Sequence, residues 1–340
     1  MTVLLEKRRL IVSPGLVPAQ QRRDDKFGHP QNVDVDLRIG LINNMPDAAL
    51  QATERQFMRR LRQAARDIRI DFHCFSLPSV RRSQSAKGRV EMTYTDITEI
   101  DRLPIDGLIV TGAEPHATNL DDEAYWRDLT DIIDWAKTNT RSTIWSCLAA
   151  HAAVLYLDGV ERQRLETKCS GVFDCVGVSS HWLTDSLPAP FKIAHSRLNE
   201  LHTDDLMAKG YQLLSLSPKA GVDTFAKDFG SQFIFFQGHP EYEALSLERE
   251  YLRDISRFLS GERDSYPGIP FGYFNAETEQ RLSAFAARAQ TERRPALSTE
   301  LPERTLRGDV ATGAAATVLF RNWIDFLAER AHTASPATNF

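Results

Sequence analysis

Short apolar runs that pass directly into stretches with helical spacing constrain this chain more than any other feature. VDLRIGLIN, starting at Val35, is branched and apolar and ends in Asn43-Asn44-Met45-Pro46, which reads as a strand and then a turn. Leu50, Phe57, Leu61 and Ala65 then recur at helical spacing. IRIDFHCFSL alternates like a strand. GLIVTG (107–112) and STIWS (142–146) are continuous apolar runs, the pattern of strands buried on both faces. The helical stretch AYWRDLTDIIDWAK follows the first, with Asp121 and Asp122 placed to cap it, and LAAHAAVLYL follows the second at once. Strand alternating with helix predicts an α/β fold with a doubly wound, mostly parallel sheet.

The middle of the chain turns β-rich, with VFDCVGV, FKIAHS, YQLLSLS, VDTFAK and FIFFQG joined by short polar links. SLEREYLRDISRFL and ATVLFRNWIDFLAERA read as C-terminal helices, and 286–311 reads as a polar loop. Residues 1–34, broken by Pro14, Pro18 and Pro30, read as an N-terminal extension. Residues 35–330 read as one domain because no long linker divides them, and 331–340 read as a tail.

Composition narrows the classes. With 42% hydrophobic residues the chain can bury a sizeable core. A net charge of -5 argues against bulk attraction to nucleic acid or to an anionic membrane. No apolar run approaches the ~20 residues needed to span a bilayer, and the N-terminus lacks the apolar core of a secretory signal. Four cysteines are too few for a disulfide scaffold at this length, so the expectation is a cytoplasmic enzyme in a reducing compartment.

Ligands of open parallel sheets bind beyond the carboxyl ends of the strands, so reactive residues just after strands are the candidates. Cys147 falls between STIWS and the following helix, the position of a nucleophile elbow. A thiol at a helix N-terminus faces unpaired N–H groups, which favour the thiolate. Position alone leaves a buried structural cysteine as an equal reading. His239 follows FIFFQG, with Pro240 to stiffen the turn and Glu241 able to orient the imidazole. Seen alone His239 is a strand-end turn residue. Seen with Cys147, the set has the form of an activated thiol nucleophile. The spacing of Cys169 and Cys175 is not that of a zinc site, and no metal is expected. His151, four residues after Cys147, reads as a packing residue, as do His73 and Cys74. No dinucleotide fingerprint, Walker A sequence or H-E-x-x-H is present.

Several stretches in order carry a more specific signal: IGLINNMPDAALQATERQF, GLIVTGAEP with AYW after it, STIWSC, TKCSGVF, AHSR, GHPEYE, EYLRD and LFRNW. Across about 36–327 they resemble the homoserine O-acyltransferase family of the homoserine O-succinyltransferase type. That resemblance implies a class-I glutamine-amidotransferase-like (flavodoxin-like) fold. It implies transfer of an acyl group from succinyl-CoA or acetyl-CoA to the hydroxyl of L-homoserine, through a cysteine acyl-thioester, in methionine biosynthesis. Cys147 would be the nucleophile, His239 the base and Glu241 its support. Lys168, Ser196 and Arg253 would contact substrate. The N–H groups of Leu148 and of the loop at Gly112 would form the oxyanion hole. Acyl-CoA would be a substrate with no further cofactor, and the chain would be a homodimer.

The chain departs from the family pattern in three places. Asp47 and Ala48 stand where lysines are usual, and Leu148 stands where an aromatic is common. His116 falls at the position associated with acyl choice, where glycine goes with succinyl and glutamate with acetyl. Partial positive charge on His116 would attract a succinyl carboxylate, so the expectation leans to succinyl. The rival reading is an amidase using the same Cys-His-Glu set.

Overall fold

The computed structural model describes residues 10–12, 35–308 and 312–333. The expected N-terminal extension, apart from Leu10–Val12, and the tail beyond 333 lie outside the described residues. In chain order the elements are β1 (Leu10–Val12), β2 (Leu37–Ile42), α1 (Asp47–Ala64), β3 (Ile70–Phe75), α2 (Gln84–Thr93), β4 (Gly107–Thr111), α3 (Trp126–Asn139), β5 (Ser142–Ser146) and α4 (Leu148–Asp158). There follow β6 (Gln163–Gly177), β7 (Phe191–Glu200), α5 (Thr203–Ala208), β8 (Gln212–Ser217), β9 (Gly221–Asp228), β10 (Gln232–Phe236), α6 (Ser246–Leu259), α7 (Ala276–Glu292) and α8 (Gly313–Thr333). These make two compact units. The first takes the described parts of 1–145, 228–234 and 320–340, and the second takes Ser146–Lys227 and Phe235–Leu319.

In the first unit the strand order is β1-β3-β2-β4-β5. β2 runs parallel to β3, with Leu37 opposite Ile70, and parallel to β4, with Ile39 opposite Gly107. Every residue of β4 is buried, as the unbroken apolar run predicts. α1 buries Leu50, Phe57 and Leu61, the positions of its helical stripe. The C-terminal helix packs against the start of β4. A Cβ on Gly107 would stand 2.5 Å from Leu327 Cδ1 and 2.8 Å from Trp323 Cζ2, so only glycine admits that contact. The Trp323 indole donates to Ser142 Oγ at 2.9 Å.

Asp121 and Asp122 do not cap the next helix. They sit in a 3₁₀ turn, Leu120–Asp122, and α3 begins later, after Tyr125, without a side-chain cap. Glu123 is the residue with the anchoring role, because its Oε1 accepts the N–H groups of His116 at 2.6 Å and Ala117 at 2.7 Å.

In the second unit the order is β9-β8-β6-β7. The β6–β7, β6–β8 and β8–β9 pairs are antiparallel. The α/β class holds, and the sheet is mixed because the β-rich segment pairs as antiparallel neighbours. β6 and β7 place Ser170 opposite Ser196 and Gly171 opposite His195, with a register shift between Arg164 and Cys169. The segment expected as a loop over 286–311 begins inside α7 and continues through a 3₁₀ turn, Pro295–Glu300. α7 packs Leu282, Phe285 and Ala289 into a core shared with Tyr251, Ile255 and Phe258 of α6.

Candidate active site

Cys147 stands between the end of β5 and the first turn of α4 with φ 52° and ψ -111°. A non-glycine residue in such a region costs on the order of 1–3 kcal/mol and persists only where its surroundings impose it. They do so here. The Cys147 N–H donates to Phe236 O at 2.7 Å, and its carbonyl accepts from Ala150 N–H at 3.0 Å and His151 N–H at 3.3 Å. Ala149 and Ala150, both buried, supply the room that an elbow usually takes from glycines. The result is a half-buried thiol at a helix N-terminus, whose first N–H groups lack intrahelical partners.

His239 is buried and held by its backbone, its N–H donating to Ala194 O on β7 at 2.7 Å. Its Nδ1 lies 2.7 Å from Glu241 Oε1, and its ring lies close enough to the Cys147 sulfur to interact with it. Burial works against charge on this imidazole, yet the Glu241 carboxylate and the Cys147 sulfur together raise its proton affinity well above the ordinary histidine value. Tyr242 stacks on the ring, with centroids 4.2 Å apart and planes 16° from parallel. The three residues expected to act together are therefore brought together.

Beside them lies a polar network. The Tyr242 hydroxyl donates to Glu250 Oε1 at 2.5 Å, and Ser196 Oγ donates to Glu250 Oε2. Lys168 Nζ is 3.6 Å from Glu250 Oε2 and 3.0 Å from Asp254 Oδ2. Arg253 places Nη2 and Nε at 3.0 Å and 3.2 Å from Asp254 Oδ1, with 44% of its side chain exposed. Burial acts to raise the Glu250 and Asp254 carboxyls, but Lys168 and its neighbours hold both below their ordinary values. Burial, together with Glu250, pushes the Tyr242 hydroxyl well up, so it stays a neutral donor. Lys168 reaches this network from the stretch where β6 shifts register, and such irregularities re-aim side chains.

Lys168, Ser196 and Arg253 thus converge on one acidic pair, although Arg253 is engaged with Asp254. Sequence reasoning has Glu250 and Asp254 only as surface partners of Arg253, a pairing that holds for Asp254, and assigns neither of them nor Tyr242 to the site. The signal was available: Glu250 and Asp254 are four residues apart, which puts both on one face of α6. Leu148, the first residue of α4, also lies in this second unit. Gly112 and His116 fall in the first unit. There His116 lines a cavity of about 700 Å³ together with Arg81, Arg82, Glu114 and Tyr125.

The family model described as homoserine O-succinyltransferase matches residues 24–333. The chain belongs to the homoserine O-succinyltransferase family. The homoserine O-succinyltransferase of Bradyrhizobium japonicum is 56% identical over 330 residues, spanning 97% of this chain and 100% of that one. That of Rhodopseudomonas palustris is 52% identical, spanning 96% and 99%. Among solved structures, a glutamine amidotransferase from Methylobacillus flagellatus is 12% identical, with TM-score 0.48, over 86% of this chain and 96% of that one. Among the described residues, no helix of this family member is long and apolar enough to cross a membrane.

Proposed function

We propose that this chain transfers a succinyl group from succinyl-CoA to the hydroxyl of L-homoserine by way of a thioester on Cys147. The observation that carries the reading is the half-buried Cys147 at an elbow beside the buried His239 and Glu241, in a chain of this family. In the first half-reaction the Cys147 sulfur attacks the thioester carbonyl. The tetrahedral intermediate expels CoA as a thiolate, which takes a proton from His239. In the second, His239 accepts the homoserine hydroxyl proton as that oxygen attacks the acyl-enzyme. Collapse of the intermediate returns the electron pair to the Cys147 sulfur.

The electrostatics suit that change of role. Charge on the Cys147 sulfur is one of the groups that raise the proton affinity of His239. Acylation removes that charge, so His239 then gives up its proton more readily and becomes a base for the second step. Glu241 keeps the ring oriented throughout. The N–H of Leu148, at the start of α4, is a donor for the developing oxyanion. Lys168, Ser196 and Glu250 line the acceptor end, where a carboxylate suits the α-ammonium of homoserine and Arg253 suits its carboxylate. Four free cysteines fit a cytoplasmic place, and the family resemblance supports a homodimer.

The test is a single-substrate incubation. Succinyl-CoA without homoserine should release one equivalent of CoA and leave one succinyl group on the Cys147 peptide. Homoserine should then clear it. A succinyl label that persists in Cys147→Ala would overturn the assignment.

A further inference from the structure

A second imidazole–carboxylate pair lies against the catalytic turn, and the proposed reaction does not use it. His195 on β7 and Asp223 on β9 are 0% and 1% exposed, with Nε2 3.3 Å from Oδ1. Both press on Gly238. A Cβ there would stand 2.5 Å from Asp223 Oδ1, 2.6 Å from Ile193 Cγ2 and 3.0 Å from His195 Nε2, so no side chain fits while the pair is in place. The backbone repeats the clasp on either side. Gln237 N–H donates to Asp223 O at 2.8 Å, and His239 N–H donates to the carbonyl of Ala194, the neighbour of His195, at 2.7 Å. Asp223 is itself fixed, since its Oδ2 accepts Ser215 Oγ at 2.7 Å and Thr224 Oγ1 at 2.9 Å. Phe173 packs edge-on against the His195 ring.

We propose that His195 and Asp223 are a positioning pair, which fixes the turn at Gly238 so that the His239 imidazole meets the Cys147 sulfur. The proposal rests on reading Cys147 and His239 as the reacting pair. The groups facing His195 are Asp223 from β9, Cys175 from β6, Arg197 on its own strand and His239 from the turn. Burial lowers its proton affinity against the pull of Asp223, and Arg197 and His239 lower it further. His195 Nε2 faces the Asp223 carboxylate at 3.3 Å, and its lowered proton affinity leaves positive charge to His239.

The Cys175 sulfur, a His195 nitrogen and an Asp223 oxygen also lie within 4.8 Å of one another, a donor set that a metal would accept. The hydrogen bonding favours the positioning role. Burial, with Asp223 beside it, pushes the Cys175 thiol far up, so it keeps its proton and points it at Phe173 O, 3.9 Å away.

The experiment compares the full chain with His195→Leu, which removes the polar edge facing Asp223, and His195→Gln, which puts a polar N–H back beside Asp223. The readouts are kcat, KM for homoserine, thermal midpoint and metal content. A further readout is the pH profile of Cys147 alkylation by iodoacetamide, followed on its own peptide. His195→Leu should lower kcat about 10- to 100-fold, the cost of a slightly misplaced reacting group, with KM little changed. It should also shift the alkylation profile, which reports the Cys147–His239 pair. His195→Gln should recover most of both. Should the leucine variant fail to fold, Asp223→Asn keeps the shape and is read the same way. A variant that loses only thermal midpoint, with wild-type kcat and profile, overturns the proposal. So does one equivalent of zinc in the wild type that both His195 variants lack. An alkylation profile unchanged by His239→Ala is a different failure, because it removes the Cys147–His239 reading itself.

Discussion

Arg253 shows how a single residue is read differently by sequence and by geometry. Its place in EYLRD gave it the role of holding the acceptor's carboxylate. In the structure it forks onto Asp254, and nearly half of its side chain stays exposed. The two roles are compatible, because a guanidinium has five donors in a fixed plane and Asp254 Oδ1 takes only one edge. A lysine offers a point charge that cannot serve both partners. Arg253→Lys should therefore raise KM for homoserine about 10- to 100-fold, the worth of a charged hydrogen bond, while succinylation of Cys147 without acceptor proceeds at the wild-type rate. Loss of acylation in the same variant would place Arg253 with the donor, and no change in either would leave it a surface residue. Much of this site was readable in the sequence, because Cys147 and His239 each end a recognisable strand. Glu250 was not singled out because carboxylates on an amphipathic helix usually face water. Its spacing from Asp254 is a weak signal, and the tertiary contacts with Lys168, Ser196 and Tyr242 are what set it apart.

At the scale of elements, α8 tests how far packing secures the first unit. Trp323 is fully buried, covers Gly107 and donates to Ser142 Oγ. Trp323→Ala would remove the ring, leave a cavity and take away the hydrogen bond that the Ser142 hydroxyl accepts, for a loss of about 3–5 kcal/mol. Denaturant unfolding should show it, and a loss below about 1 kcal/mol would mean the site collapses or the helix is replaceable. The strands of this unit were readable because burial on both faces leaves unbroken apolar runs such as GLIVT and STIWS. α7 is hard to read from the sequence for an opposite reason. Its apolar residues Leu282, Phe285 and Ala289 keep helical spacing, and Asn275 caps it by accepting from Thr278 N–H at 2.8 Å. The polar residues between them, and the turn chemistry of the following Arg294-Pro295, outweighed that stripe. Asp121 and Asp122 misled in a third way. They have the right chemistry for a cap, but Glu123 ties the preceding loop down and delays the helix to Trp126.

Over the whole molecule, buried carboxylates tie stability to pH. The second unit carries three that are held below their ordinary values, Asp223, Glu250 and Asp254. A carboxylate held low contributes stability that is present above its unfolded value, near 4.5 for Glu250 and 3.8 for Asp254. That contribution is lost as pH falls through the lower folded value. For Glu250 and Asp254 the strongest cause holding them low is Lys168, so one substitution reports on both. Lys168→Met keeps the length of the side chain and removes the charge. At pH 7 it should cost about 1–3 kcal/mol, the range for hydrogen bonds to charged groups, and lower the thermal midpoint. As pH falls below about 4 the wild type loses the same contribution by protonation, so the two melting curves should converge. A gap that stays constant from pH 7 to pH 3 would show that Lys168 acts through packing of its stem and not through its charge. The measurement needs no turnover, so it reports the work of Lys168 in holding the second unit together apart from the role proposed for it at the acceptor.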